Sequence, residues 1–209
     1  MDPTVDARLP LSLLQAVRHI DTPTGDDLDA AYMEELRSKR FGLSDTVYAQ
    51  IGRYTDAVRR SQRPSHEETV ALARLIGRRS DAELVYREAG RMLANQAYAT
   101  ISSATRHTVR ILPSFLARPM ALRQSRRLAV RFLNGIVVRT GSSVLLQVPV
   151  TVTADGAARS AGCTFYEAFL KELMRLLTGV DGMVEHVRCA VRGEGRCEWR
   201  AEWRRSAAG

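Results

Sequence analysis

The chain has three cysteines, and all fall in its last quarter beside one histidine: Cys163, His186, Cys189 and Cys197, spaced C-x22-H-x2-C-x7-C. Four soft or borderline donors make a complete tetrahedral set for zinc in a closed site. An ion taking all four would pin the region of residue 163 against the segment 186–197. The segment from His186 to Cys197 reads as two strands joined by Arg192-Gly-Glu-Gly195, because glycine accepts the positive φ angles of a tight turn. His186 and Cys189, three apart, face opposite sides of a regular strand. A bulge or strand end near Val187–Arg188 is therefore needed to bring both to one ion. Cys197 returns across the turn. Cys163 opens an amphipathic helix, where free N–H groups favour a thiolate. Three thiolates and a neutral imidazole carry −3 against the ion's +2, and Arg188, Arg192 and Arg196 are expected to moderate the surplus. With every position filled by protein, the ion would be structural rather than catalytic. Spacing alone leaves a second reading open, in which the cysteines are small buried apolar residues. The paired close doublets of a zinc finger are absent.

Composition narrows the setting. With 209 residues, 45% of them hydrophobic, the chain can bury a substantial core. The apolar run near Val144–Val152 is too short to span a bilayer and includes Gln147 and Pro149. The N-terminal residues lack the basic-then-apolar pattern of a signal peptide. A cytoplasmic protein with reduced thiols is expected, and an odd cysteine count favours metal ligation over disulfides. The formal charge of +8 suggests nucleic acid, but only Lys39 and Lys171 of the 31 basic residues are lysines. Arginine so dominant reflects codon bias in a GC-rich genome. The densest stretch, Arg118–Arg131, alternates arginine with Met120, Leu122, Leu128 and Val130, as a solvated amphipathic helix does, so neither nucleic-acid nor acidic-surface binding is expected.

The pattern predicts an α+β fold: a helical N-terminal half packed on a small antiparallel sheet that ends in the metal-fastened hairpin. Residues 1–80 read as a helical extension and 81–205 as the binding domain. The helical signals are Leu11–Val17, a weaker one at Asp26–Arg37, and a stripe of Val47, Ile51, Tyr54 and Val58 behind Ser44. Ser65 with Glu68, and Ser80 with Glu83, form capping boxes. Gly90 and Ala94 give the helix that follows a smooth patch. Pro113 and Pro119 mark a break. Strands are expected at Ile136–Arg139 and Val144–Val152, with Pro149 implying an edge or bulge, and at Met183–Val191 and Arg196–Trp203. Between these pairs a helix from Thr164 to Thr178 ends at Gly179.

Cys163 with its helix, then Gly179-Val-Asp-Gly-Met-Val-Glu-His-Val-Arg-Cys189, then Gly193-Glu-Gly-Arg-Cys197-Glu-Trp-Arg, resembles the 4-vinyl reductase domain family. That domain is also the effector-sensing part of phenol- and xylene-responsive bacterial activators. Its fold is similar to subunits of the eukaryotic vesicle-tethering transport particle and to haem nitric-oxide sensor domains. In the aromatic-sensing relatives, three cysteines and a glutamate hold zinc. The resemblance implies that Cys163, Cys189 and Cys197 are ligands and that His186 stands in for the glutamate, with Glu185 as the competing donor. Imidazole suits zinc, and His186 keeps the spacing. The resemblance is specific over Cys163–Trp203, reaches back to about Ala82, and is absent from the first eighty residues.

It implies a hydrophobic or aromatic small molecule held beside the hairpin, with structural zinc and a homodimer, the helix around Gly90 and Ala94 being a contact surface. Candidate pocket walls are Tyr86, Met92, Phe115, Phe132, Leu146, Phe165 and Phe169. The histidine and tryptophan by which the phenol sensors hold their ligand have no clear counterpart, and His107 between basic neighbours reads as a surface residue. Two alternatives stand beside the sensor. One is a tetrapyrrole-acting enzyme or accessory protein. The other is a ligand-free interaction module.

Overall fold

The computed structural model describes residues 3–22, 41–154 and 158–202. The expected helix at Asp26–Arg37 and the residue Trp203 lie outside them. Seven α-helices occur among the described residues: α1 Arg8–Asp21, α2 Asp45–Arg59, α3 His66–Ile76, α4 Ala82–Ala99, α5 Ser103–Ile111, α6 Ser114–Leu133 and α7 Thr164–Thr178. Four strands, β1 Ile136–Thr140, β2 Ser143–Val148, β3 Val184–Arg188 and β4 Cys197–Glu202, form one antiparallel sheet in the order β1-β2-β4-β3. The fold is α+β, as the pattern predicts. No described helix is long and apolar enough to cross a membrane.

Local chemistry explains most boundaries. Ser44 caps α2 by accepting from Val47 N–H (3.4 Å), and Ser65 caps α3 by accepting from Glu68 N–H (3.1 Å). Only half the Ser65–Glu68 box forms, because the Glu68 carboxylate turns away to Tyr54 Oη (2.8 Å) and ties α3 to α2. The box expected at Ser80 does not form. Asp81 is the N-cap of α4, without a side-chain cap bond, and its carboxylate is taken by Arg79 (2.7 Å). Arg79 also grips buried Asp21 through two hydrogen bonds of 2.9 and 2.6 Å, fixing the end of α1 against the start of α4. That pairing holds the Asp81 carboxyl below the usual carboxylate range.

Two prolines behave differently from expectation. Pro113 does end a segment and precedes α6, but Pro119 lies inside that helix. It sits near the first turn, on the exposed side, where solvent can reach the carbonyl left without a partner. Pro149 marks neither an edge nor a bulge. β2 is a central strand and stops at Val148, so the residue that cannot donate falls just past the ladder. Gly141 turns β1 into β2 with φ +60°, and Gly179 ends α7 with φ +70°.

Helix α7 organises the interior. Its buried face carries Phe165, Phe169, Leu173 and Leu177, each contributing about 1.5–3 kcal/mol by leaving water. It packs on both the sheet and α4, and α1 packs on α4. One continuous core joins Leu9 and Leu13 of α1 with Tyr86, Phe132, Leu146 and Trp199. Gly90 and Ala94 do form a smooth patch, but the chain's own α7 covers it. A Cβ on Gly90 would lie 2.2 Å from the Phe165 carbonyl oxygen, so this surface is not free for a second copy.

Gly52, in the middle of α2, has open space around it. The two glycines should therefore respond with opposite signs to alanine. Gly90→Ala forces two helix backbones apart, and overpacking outweighs the gain in helix propensity, giving a loss of about 1–3 kcal/mol. Gly52→Ala gains about 0.5–1 kcal/mol from propensity alone. Urea unfolding of both variants checks the pair, and equal effects would contradict the close approach of α4 and α7.

Candidate metal centre

The four residues separated along the chain come together. One donor atom from each of Cys163, His186, Cys189 and Cys197 lies within 4.8 Å of every other. Cys163 is the N-cap of α7, reached through a short 3-10 turn. β3 supplies His186. A bulge between His186 and Arg188 shifts the β3–β4 register, so that Cys189, just past the strand, turns to the same side. Cys197 opens β4 across the hairpin, and its backbone pairs with Val148 of β2. Glu185 stays out of the cluster: it is exposed, in register with Arg200, one residue from His186 and so on the opposite sheet face.

The geometry matches what an ion requires. Cys163 Sγ and Cys189 Sγ are 3.9 Å apart, and all three thiols are free and buried. Thiolates about 2.3 Å from a tetrahedral ion stand about 3.8 Å from each other, whereas a disulfide needs about 2 Å. His186 Nε2 is buried with no hydrogen-bond partner, a costly state for a polar atom unless something else binds it. The protons tell the same story. The Cys197 thiol is lowered to about 4, chiefly by the hydrogen bond from Cys163 and then by His186 and the Ala190 N–H, against the opposing effect of burial. The Cys163 thiol is pushed far up, because its proton is held by Cys197 and a second buried thiolate alongside would repel the first. A divalent cation would replace the shared proton and let all three sulfurs ionise. The cluster can hold a metal such as zinc, and all four donors come from protein.

The surplus negative charge is handled differently from the sequence expectation. Arg196 and Arg188 reach Glu198 instead, at 2.6 and 3.6 Å, and Glu198 is buried and also accepts from Gln147 Nε2 (2.9 Å). A backbone donor serves the sulfur: Ala190 N–H points at Cys197 Sγ (3.3 Å). Glu194 closes the turn by accepting from Cys189 N–H (2.5 Å).

Aromatic rings fix the imidazole. His186 stacks on Trp199 at 4.9 Å and 10°, and Trp199 stacks on Tyr166 at 4.9 Å and 28°. The Tyr166 hydroxyl accepts from Val152 N–H (2.8 Å). Neither ring was singled out for the site by sequence reasoning, yet both carry a positional signal. Tyr166 follows Cys163 by three residues on a helix, and Trp199 follows Cys197 by two on a strand, so each shares a face with a ligand.

The candidate pocket walls scatter. Tyr86, Phe132, Leu146, Phe165 and Phe169 are at most 1% exposed, Met92 is half-buried, and Phe115 is 70% exposed on α6. Tyr86 donates its hydroxyl to Ala73 O (2.7 Å). His107 is exposed. A cleft of about 310 Å³ lies between α4 and α7, lined mainly by charged side chains such as Arg87, Arg91, Glu167 and Lys171. No family model matches the chain, and no curated protein matches it either.

His186→Ala should lower Zn2+ affinity by on the order of 100-fold or more, since even removing a residue that only supports a ligand costs about 10–100-fold. Glu185→Ala should leave affinity unchanged. Competition of each variant against a chromophoric zinc chelator measures both. The reverse order would place the carboxylate in the site.

Proposed function

We propose that this chain is a zinc-fastened binding protein. The ion clamps the β3–β4 hairpin to the start of α7, and function lies in recognition by the domain so fastened. The observation that carries this reading is the closed donor set, in which His186 Nε2 is buried and otherwise unpartnered. Four protein donors fill a tetrahedral ion and leave no position for an activated water, which supports a structural role. The tetrapyrrole-enzyme alternative gains nothing from this centre. Among the described residues it is the one group of three or more His, Cys, Asp or Glu side chains close enough to share an ion.

The sharper reading is a cytoplasmic, homodimeric sensor of hydrophobic or aromatic small molecules. It rests on the resemblance to the 4-vinyl reductase domain family, and the convergence of Cys163, Cys189 and Cys197 with a fourth donor supports it. A second reading, a ligand-free interaction module, is favoured by one observation. Five of the seven nominated wall residues are packed shut in the core.

Elemental analysis of the purified full chain tests the clasp. It should find about one zinc per chain, lost in Cys189→Ala. Metal-free protein equally stable with and without chelator would sink it. Thermal unfolding with phenol, xylene or protoporphyrin then separates the functions. Saturating ligand should raise the midpoint by about 5–10 °C. A shift with phenol or xylene supports the sensor, and one with protoporphyrin the tetrapyrrole reading. No shift with any of them leaves the interaction module.

A further inference from the structure

Residues 89–154 contain nine arginines and not one Asp or Glu, although those acids make up 23 of the 209 residues. Codon bias explains abundant arginine. It does not explain missing carboxylates. The middle of this stretch folds into α5 and α6, which bury Val109, Ala121, Leu128 and Phe132 on one side. The other side faces solvent. At the corner where α5 passes into α6, Ile111 is 66% exposed, Phe115 70% and Leu116 45%. Arg123 and Arg127 follow Leu116 by seven and eleven residues, so the three share one stripe of α6.

The arginines of this face are available. Arg126 donates to the Val137 carbonyl and Arg131 pairs with Asp6, but Arg118, Arg123 and Arg127 are exposed with no partner among the described residues. Two cations, Arg123 and Arg127, thus share the exposed face of α6 with Leu116, next to the apolar corner, and neither helix carries a carboxylate to neutralise them.

We propose that this corner docks on an anionic membrane surface. Ile111, Phe115 and Leu116 enter the headgroup layer, while Arg123 and Arg127 meet lipid phosphates. A lipid interface supplies both chemistries at once, apolar depth and surface anions. A nucleic-acid backbone would satisfy the arginines and leave the apolar corner in water. A second copy of this chain, itself at +8, would set like charges against each other. The chain lies on the bilayer and does not span it.

The test is co-sedimentation of the full chain with vesicles of phosphatidylcholine alone, or of phosphatidylcholine mixed with phosphatidylglycerol. Binding is expected to the mixed vesicles only, weakening as salt is raised. Arg123→Glu/Arg127→Glu and Phe115→Ser/Leu116→Ser should each weaken binding by about tenfold or more. Circular dichroism should be unchanged, because these side chains are exposed. No binding to anionic vesicles, or binding that neither pair weakens, overturns the proposal. So does tighter binding to duplex DNA or RNA that the charge reversal abolishes and the serine pair leaves intact.

Discussion

Three buried sulfurs and a buried imidazole nitrogen gathered within 4.8 Å cannot all be satisfied by protons. The Cys197 thiol is driven down and the Cys163 thiol up by their proximity, and His186 Nε2 has no partner. That imbalance is expensive in a low-dielectric interior, where an unpaired polar atom costs about 1–3 kcal/mol. A divalent ion would remove it in one step and would tie together the three elements that supply the donors.

The donors come from three places: the start of α7, the end of β3 and the start of β4. Holding them together fixes a five-residue edge strand, β3, to the helix that carries much of the core. Short paired strands are marginal alone. Here β4 lies between β2 and β3, so an ion bound at Cys197 would also anchor the strand that joins the hairpin to the rest of the sheet. The His186–Trp199–Tyr166 stack connects the metal side of the sheet to α7 and sets the plane of the imidazole.

Features that depend on one residue's own chemistry were readable in the sequence. Ser44, Ser65 and Gly179 mark helix ends because a hydroxyl cap or a positive φ acts locally. The bulge near Val187 was readable because ligands three apart on a strand demand it. Features set by distant partners were not. Asp81 displaced Ser80 as a cap because Arg79 holds Asp81 while it reaches Asp21, 58 residues away. Arg188 and Arg196 neutralise Glu198 rather than the sulfurs, since the sheet buries that carboxylate beside them. Gly90 offered a smooth surface whose occupant, α7, only the fold reveals. The gathering of Cys163, His186, Cys189 and Cys197 was expected from spacing and residue type, whereas an apolar cavity depends on packing that spacing does not encode.

Zinc K-edge X-ray absorption on the purified protein tests the central claim most directly. The account predicts a four-coordinate shell with three sulfurs near 2.3 Å and one nitrogen at about 2.0–2.1 Å. A shell dominated by oxygen and nitrogen, or a protein that retains no zinc at all, would contradict it.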